Sequence, residues 1–247
     1  MISVVSLIDH AVLHPTQTEH DLAAACELCA RVGAFSVCVK PYLIPAAVKL
    51  LAGSRVLVST VIAFPHGSAP PEIKAAESRW ACEHGAKELD MVANIGLAQA
   101  GEWAAVEDDI RAVVEAGREF QAITKVIFET DMFTGDEVKI ELCRVCERAG
   151  AAFVKTSTGF GFVKQPDGTM ATRGATDHDI ALMRRTCGPN VGVKASGGIR
   201  SLADARRLIA LGATRLGTSA TATIVAEEAA ELKGKPPSNL TETTALY

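Results

Sequence analysis

Apolar, strand-like runs alternate with helical patterns along almost the whole chain, and the segment between successive runs is long enough for a crossover helix. Seven runs are clear: Phe35 to Lys40, Arg55 to Phe64, Glu88 to Ala93, Ile123 to Glu129, Phe153 to Ser157, Val191 to Ser196 and Thr214 to Thr218. Val4 to Asp9 supplies a short eighth. Parallel strands require such crossovers, and eight βα units close into a barrel. A length of 247 residues suits one such unit. The expected fold is a single (β/α)8 TIM barrel over residues 1–233, followed by a polar tail over 234–247 after Gly234-Lys235-Pro236-Pro237 breaks the last helix.

Helix punctuation agrees with this reading. Thr18 with Asp21 forms a capping-box variant, and Gly33 follows the end of that helix. Pro70-Pro71 opens a run to Gly85, and Gly135-Asp136 opens one to Gly150. The run from Ala175 to Cys187 stops at Gly188-Pro189, Ser201 with Asp204 caps another, and the last spans Ala220 to Lys233.

A formal charge of −4 with interspersed signs gives no basic stripe, which argues against nucleic acid as a partner. Met1 to Leu7 lacks the basic flank of a signal peptide, and no window is apolar for long enough to span a membrane, so a cytoplasmic protein is expected. The odd count of seven cysteines suggests reduced thiols. Cys26 with Cys29 and Cys143 with Cys146 have C-x-x-C spacing, but each pair sits on an amphipathic helix pattern without a completing histidine. Core packing is the better account than zinc.

The outer face of a barrel strand packs on helices, so a polar residue between apolar neighbours points to the axis. That test selects Cys38, Asp90, Lys125, Lys155 and Lys194. In Phe153 to Ser157, Phe153, Lys155 and Ser157 share one face and Val154 and Thr156 the other. An enclosed ammonium is costly unless paired or deprotonated, and a second lysine nearby disfavours its charge further. If the strands of Lys155 and Lys194 are adjacent, one of the two should have a lowered pKa, which is the requirement for a Schiff-base nucleophile. A buried structural pair of Asp90 with one lysine leaves the other two unexplained. Three lysines against one aspartate predict an electropositive pocket suited to an anion. Gly197-Gly198-Ile199-Arg200 and Gly217-Thr218-Ser219 fall where this fold commonly holds phosphate.

Leu7-Ile8-Asp9-His10, Val37-Cys38-Val39 followed by Pro41, Phe64-Pro65-His66-Gly67, Glu88-Leu89-Asp90-Met91-Val92 and Lys125-Val126-Ile127-Phe128-Glu129-Thr130 resemble the deoxyribose-phosphate aldolase family over nearly the whole chain. The most specific pair is Phe153-Val154-Lys155-Thr156-Ser157-Thr158-Gly159 with Val193-Lys194-Ala195-Ser196-Gly197-Gly198. The resemblance implies a class I aldolase that cleaves 2-deoxyribose 5-phosphate in deoxyribonucleotide catabolism. In it Lys155 forms the imine, Lys194 depresses its pKa and joins a proton relay, and Asp90 completes the relay while the C3 to C4 bond breaks. Cys38, Asp9 and Lys125 would line the pocket, and Thr158, Gly159, Gly197, Gly198, Arg200 and Ser219 would bind the phosphosugar.

Phe160 stands where some members carry a phosphate-contacting lysine, and Ala220 replaces a second serine, so the phosphate site is expected to be built differently. Tyr247 corresponds to a terminal tyrosine that reaches the active site in some members. No metal or cofactor is implied, and a homo-oligomer, dimer or tetramer, is. Another lysine-dependent aldolase, a transaldolase, a metal-dependent aldolase and a catalytically dead sugar-phosphate-binding regulator are the rival readings. The six histidines fall on no shared strand-end pattern, and the buried lysines argue against the dead regulator.

Overall fold

The computed structural model describes residues 3–164 and 167–234. Eight parallel strands close on themselves: β1 (Ile8–Val12), β2 (Ser36–Val39), β3 (Leu57–Ile62), β4 (Glu88–Val92), β5 (Ile123–Ile127), β6 (Phe153–Lys155), β9 (Gly192–Ser196) and β10 (Arg215–Thr218). Their order around the barrel is β1-β10-β9-β6-β5-β4-β3-β2, so β1 closes the sheet by pairing with both β2 and β10. The remaining strands, β7 (Val163–Lys164) and β8 (Met170–Ala171), form an antiparallel hairpin outside the barrel. The helices are α1 (Glu19–Val32), α2 (Ile44–Leu50), α3 (Pro71–Glu83), α4 (Ile95–Ala100), α5 (Trp103–Arg118), α6 (Glu137–Ala149), α7 (Asp177–Thr186), α8 (Leu202–Ala210) and α9 (Thr221–Leu232). The expected (β/α)8 barrel is therefore present.

The punctuation acts as its chemistry suggests. The Asp21 carboxylate accepts the Thr18 N–H at 2.7 Å and the Thr18 hydroxyl at 2.8 Å, and Gly33 ends α1 at φ 74. Thr176 and Ser201 each accept an N–H three residues on, from Asp179 and Asp204, both at 3.1 Å. Outward strand residues such as Val37, Val39, Leu89, Met91, Val126, Val154, Val193 and Leu216 join helix residues in one hydrophobic core between barrel and helix ring. Cys26, Cys29, Cys143 and Cys146 belong to this same core, as their helical spacing predicts.

Two readings need correction. Val4–Leu7 is a 3₁₀ turn, and the first strand begins at Ile8. Glu228 of α9 accepts from the Val4 N–H at 2.9 Å and from the Ser3 hydroxyl at 2.5 Å, which holds the turn against α9 instead of in the sheet. The β7–β8 hairpin was not anticipated either, because strands of two residues are too short to show alternation. Among the described residues, no helix is long and apolar enough to cross a membrane.

His10 of β1 ties the barrel to α9, its Nδ1 lying 2.8 Å from the Thr221 hydroxyl. Burial lowers its pKa from 6.5 to about 4. The folded protein thus binds this proton more weakly than the unfolded chain, so the associated stability is complete above pH 6.5 and is lost as pH falls through 4. The expected loss across that window is about 3 kcal/mol. Urea denaturation at a series of pH values measures it, and His10→Asn should flatten the profile between pH 6.5 and 4.

Candidate active site

Strand register takes the first step in assembling the site. β6 and β9 pair with Lys155 opposite Lys194, and β4 and β5 pair with Asp90 opposite Lys125. The two lysine strands are adjacent, as the sequence argument required. Their inward side chains converge on Asp90, whose Oδ1 accepts from Lys125 at 2.8 Å and whose Oδ2 accepts from Lys155 at 2.8 Å and Lys194 at 2.7 Å. Asp9 accepts from Lys194 at 2.5 Å, Lys125 at 3.2 Å, Arg215 at 2.9 Å and the Ser36 hydroxyl at 2.7 Å. Glu88 accepts from Lys125 at 2.6 Å and Arg215 at 2.9 Å. The Arg215 guanidinium also lies 3.4 Å from the Phe35 ring centroid and 5.1 Å from that of Phe153.

This inventory corrects the picture of three lysines against one aspartate. Four cationic side chains, Lys125, Lys155, Lys194 and Arg215, meet three carboxylates, Asp9, Glu88 and Asp90. Glu88 and Arg215 escaped the sequence reading although each has the inward parity of a residue it did select or place at the mouth. Glu88 precedes Asp90 by two positions and Arg215 precedes Gly217 by two, so alternation was the signal that could have found them.

The surplus of one charge falls on Lys155. Burial lowers its pKa, Asp90 opposes that, and the Lys194 ammonium lowers it further, leaving the amine below the usual lysine range. Burial also opposes charge on Lys125, but Asp9, Asp90 and Glu88 outweigh it and hold Lys125 well above that range. Lys194 is likewise raised, because Asp9 and Asp90 overcome its burial. Burial works against ionisation of Asp90, yet Lys125, Lys155 and Lys194 keep its carboxyl well below normal. Were Lys155 to give up its proton, three cations would face three carboxylates. Cys38 lines the same interior with its thiol pKa pushed up, first by burial and then by Asp90.

At the C-terminal mouth, Gly197 (φ 91) and Gly198 (φ 78) turn consecutively through the left-handed region. A Cβ on Gly217 would lie 2.8 Å from the Ser196 Cβ and 3.2 Å from the Lys194 Cε, so a side chain there would press on the lysine. Thr218 ties the two phosphate-type loops together, its hydroxyl donating to the Ile199 carbonyl at 2.7 Å and accepting the Ala220 N–H at 2.9 Å. Ser219 and Arg200 are exposed at this rim. Gly159 has open space on its Cα, while the Thr158 hydroxyl is engaged by the Glu129 carboxylate. Phe160 meets Phe64 edge to face at 5.4 Å and stacks on His14 at 6.2 Å, making one side of the mouth aromatic. Tyr247 lies outside the described residues.

One group of metal-type ligands occurs among the described residues: Asp136, His178 and Asp179, away from the barrel interior. The Lys139 ammonium already lies 3.1 Å from Asp136 and 2.6 Å from Asp179.

Compared with known proteins, residues 3–220 match the DeoC/LacD family aldolase model. The deoxyribose-phosphate aldolase of Listeria monocytogenes serotype 4a is 45% identical over 227 residues, 92% of this chain and 96% of that protein. The corresponding enzyme of Carboxydothermus hydrogenoformans is 46% identical over 224 residues, 90% of this chain and 93% of its own. Among solved structures, the tetrameric deoxyribose phosphate aldolase of Aeropyrum pernix superposes with a TM-score of 0.82 at 30% identity, covering 92% of each chain.

Proposed function

The chain belongs to the DeoC/LacD family of aldolases, and we propose that it is a class I lyase that reversibly cleaves 2-deoxy-D-ribose 5-phosphate to D-glyceraldehyde 3-phosphate and acetaldehyde through a Schiff base on Lys155. The observation that carries this is the charge inventory of the barrel interior. Lys155 contacts one carboxylate, Asp90, and shares it with Lys125 and Lys194, whose charges are better supported. An uncharged amine in that place is a nucleophile toward an aldehyde.

The Lys155 amine adds to C1 of the open-chain sugar, and the carbinolamine hydroxyl, taking up one proton from solvent, leaves as water to give an iminium. That step places a positive charge beside Asp90, a carboxylate that Lys125 and Lys194 already share. Cleavage removes that charge: the electron pair of the breaking bond moves onto the iminium nitrogen, and a neutral enamine remains. The bond concerned is C2 to C3, and the C3 to C4 assignment is set aside. Products of two and three carbons require it, and only a bond to the carbon next to the iminium can deliver its electrons there. Asp90, acting through a water beside Lys194, takes the C3 hydroxyl proton as that carbon becomes an aldehyde, a contribution on the order of 10² to 10⁴ in rate. Protonation of the enamine at C2 and hydrolysis release acetaldehyde and restore Lys155.

In the same reading, the Gly159 and Gly197-Gly198 backbones with Arg200 and Ser219 hold the 5-phosphate, Thr158, whose N–H and hydroxyl both go to Glu129, fixes the loop that carries Gly159, and Cys38, Asp9 and Lys125 wall the sugar end. Cys38 supplies low polarity, and Asp9 and Lys125 hold Lys194 and Asp90 in place. The aromatic group at Phe160 puts the phosphate contacts on backbone N–H groups and on the other loops. A homo-oligomer, dimer or tetramer, belongs to this reading and is supported by the tetrameric Aeropyrum relative. A role in deoxyribonucleotide catabolism in the cytoplasm is supported by the relatives' shared name and by seven free, buried cysteines.

Incubation with 2-deoxyribose 5-phosphate should release acetaldehyde. Borohydride added in the presence of acetaldehyde should leave a two-carbon adduct on the peptide containing Lys155. An adduct on another lysine, or no cleavage of the sugar, would refute the assignment.

A further inference from the structure

Glu129 and Asp131 leave the barrel together at the end of β5, and the chemistry above uses neither. Both are buried, and both face the long connection from β6 to α7. Glu129 adopts φ 58 and ψ 62, a left-handed conformation uncommon for a residue with a side chain. Its carboxylate accepts the Thr158 N–H at 3.2 Å and the Thr158 hydroxyl, which in turn accepts the Phe160 N–H at 2.9 Å. Gly161 closes over the same group, since a Cβ there would fall 2.5 Å from the Glu129 Cδ.

Asp131 holds the other end of the connection. Its Oδ2 accepts from the Thr172 hydroxyl at 2.7 Å, the Arg173 N–H at 2.8 Å and the Gly174 N–H at 3.1 Å. Gly174 is pressed on the mouth loop: a Cβ on it would lie 2.5 Å from the Gly197 carbonyl carbon. The next residue, Ala175, donates its N–H to the Gly197 carbonyl oxygen at 3.1 Å.

The excursion from Thr158 to Gly174 therefore returns to the site at both ends, and each end is gripped by a buried carboxyl group. The first end carries Gly159, and the second supports the Gly197-Gly198 turn. The imine-forming cluster has its own partners on β1, β4, β5, β6, β9 and β10, and neither Glu129 nor Asp131 donates to or accepts from it. We propose that Glu129 and Asp131 are positioning residues for the phosphate end of the substrate, aligning the Gly159 and Gly197-Gly198 backbones without acting on the carbon–carbon bond. This inference rests on the phosphosugar reading above.

The test compares Glu129→Gln and Asp131→Asn in the full chain, using 2-deoxyribose 5-phosphate and unphosphorylated 2-deoxyribose, with borohydride trapping of acetaldehyde as a control on the amine. Each substitution removes acceptor capacity at nearly unchanged volume. The KM for the phosphorylated sugar should rise about fivefold or more, kcat should stay within about twofold, and kcat/KM for the unphosphorylated sugar should not change. Equal losses on both sugars, a loss confined to kcat, no loss on either, or failure of both variants to fold would overturn the inference. A wild-type chain inactive on 2-deoxyribose 5-phosphate would instead overturn the function proposed above. An active wild type with unperturbed variants overturns only the positioning role.

Discussion

Lys155→Met should abolish cleavage of 2-deoxyribose 5-phosphate, lowering kcat by at least about 10⁴-fold as loss of a covalent nucleophile does, while leaving the unfolding free energy unchanged or raised. The second half of this expectation follows from the charge inventory. Without Lys155, Lys125, Lys194 and Arg215 still face Asp9, Glu88 and Asp90, and an apolar side chain of similar length fills the space. Lys155→Arg should behave differently. Its charge cannot be given up, so four permanent cations would meet three carboxylates, and the variant should lose stability together with activity. Initial rates, borohydride trapping and urea denaturation on both variants check the two claims. Measurable cleavage by the methionine variant would end the Schiff-base assignment.

Lys194→Met should retain a nucleophile but hold it in its charged form. Two fixed cations, Lys125 and Arg215, would then face three carboxylates, and Lys155 is the group able to restore balance by taking up a proton. The direction follows from the pressures on the amine. Burial and Lys194 both lower its pKa and Asp90 raises it, so removing Lys194 moves the pKa upward. At neutral pH the neutral fraction falls, with an expected loss of about 10²-fold in kcat/KM. Activity should recover as pH rises, and the acid limb of the kcat/KM profile should move to higher pH. A loss that stays constant with pH would assign Lys194 to proton transfer alone.

Much of this site was legible before the fold was known. Strand alternation put Cys38, Asp90, Lys125, Lys155 and Lys194 on inward faces, and the register that sets Lys155 against Lys194 follows once their strands pair directly. The pairing needed a barrel in which the intervening hairpin is left out of the sheet, and two-residue strands give no periodicity from which to read that. Glu129 closed the Ile123 to Glu129 run at the parity of Lys125, but its partner Thr158 lies 29 positions away. Asp131 follows the strand end, where alternation has stopped, and its partners lie 41 to 43 positions away.

The chain alone determined the architecture and singled out Lys155 as the candidate nucleophile, because the two-residue period of a strand and the high cost of an enclosed ammonium are local properties. Tertiary structure decided the direction in which each pKa in the cluster is pushed. Charge state in a low-dielectric interior depends on the sum over all groups within a few ångströms, and two members of that sum, Glu88 and Arg215, reach the cluster from opposite sides of the barrel. Only closure of the sheet brings them together, and Lys155 is left with a lowered pKa while Lys125 and Lys194 are raised.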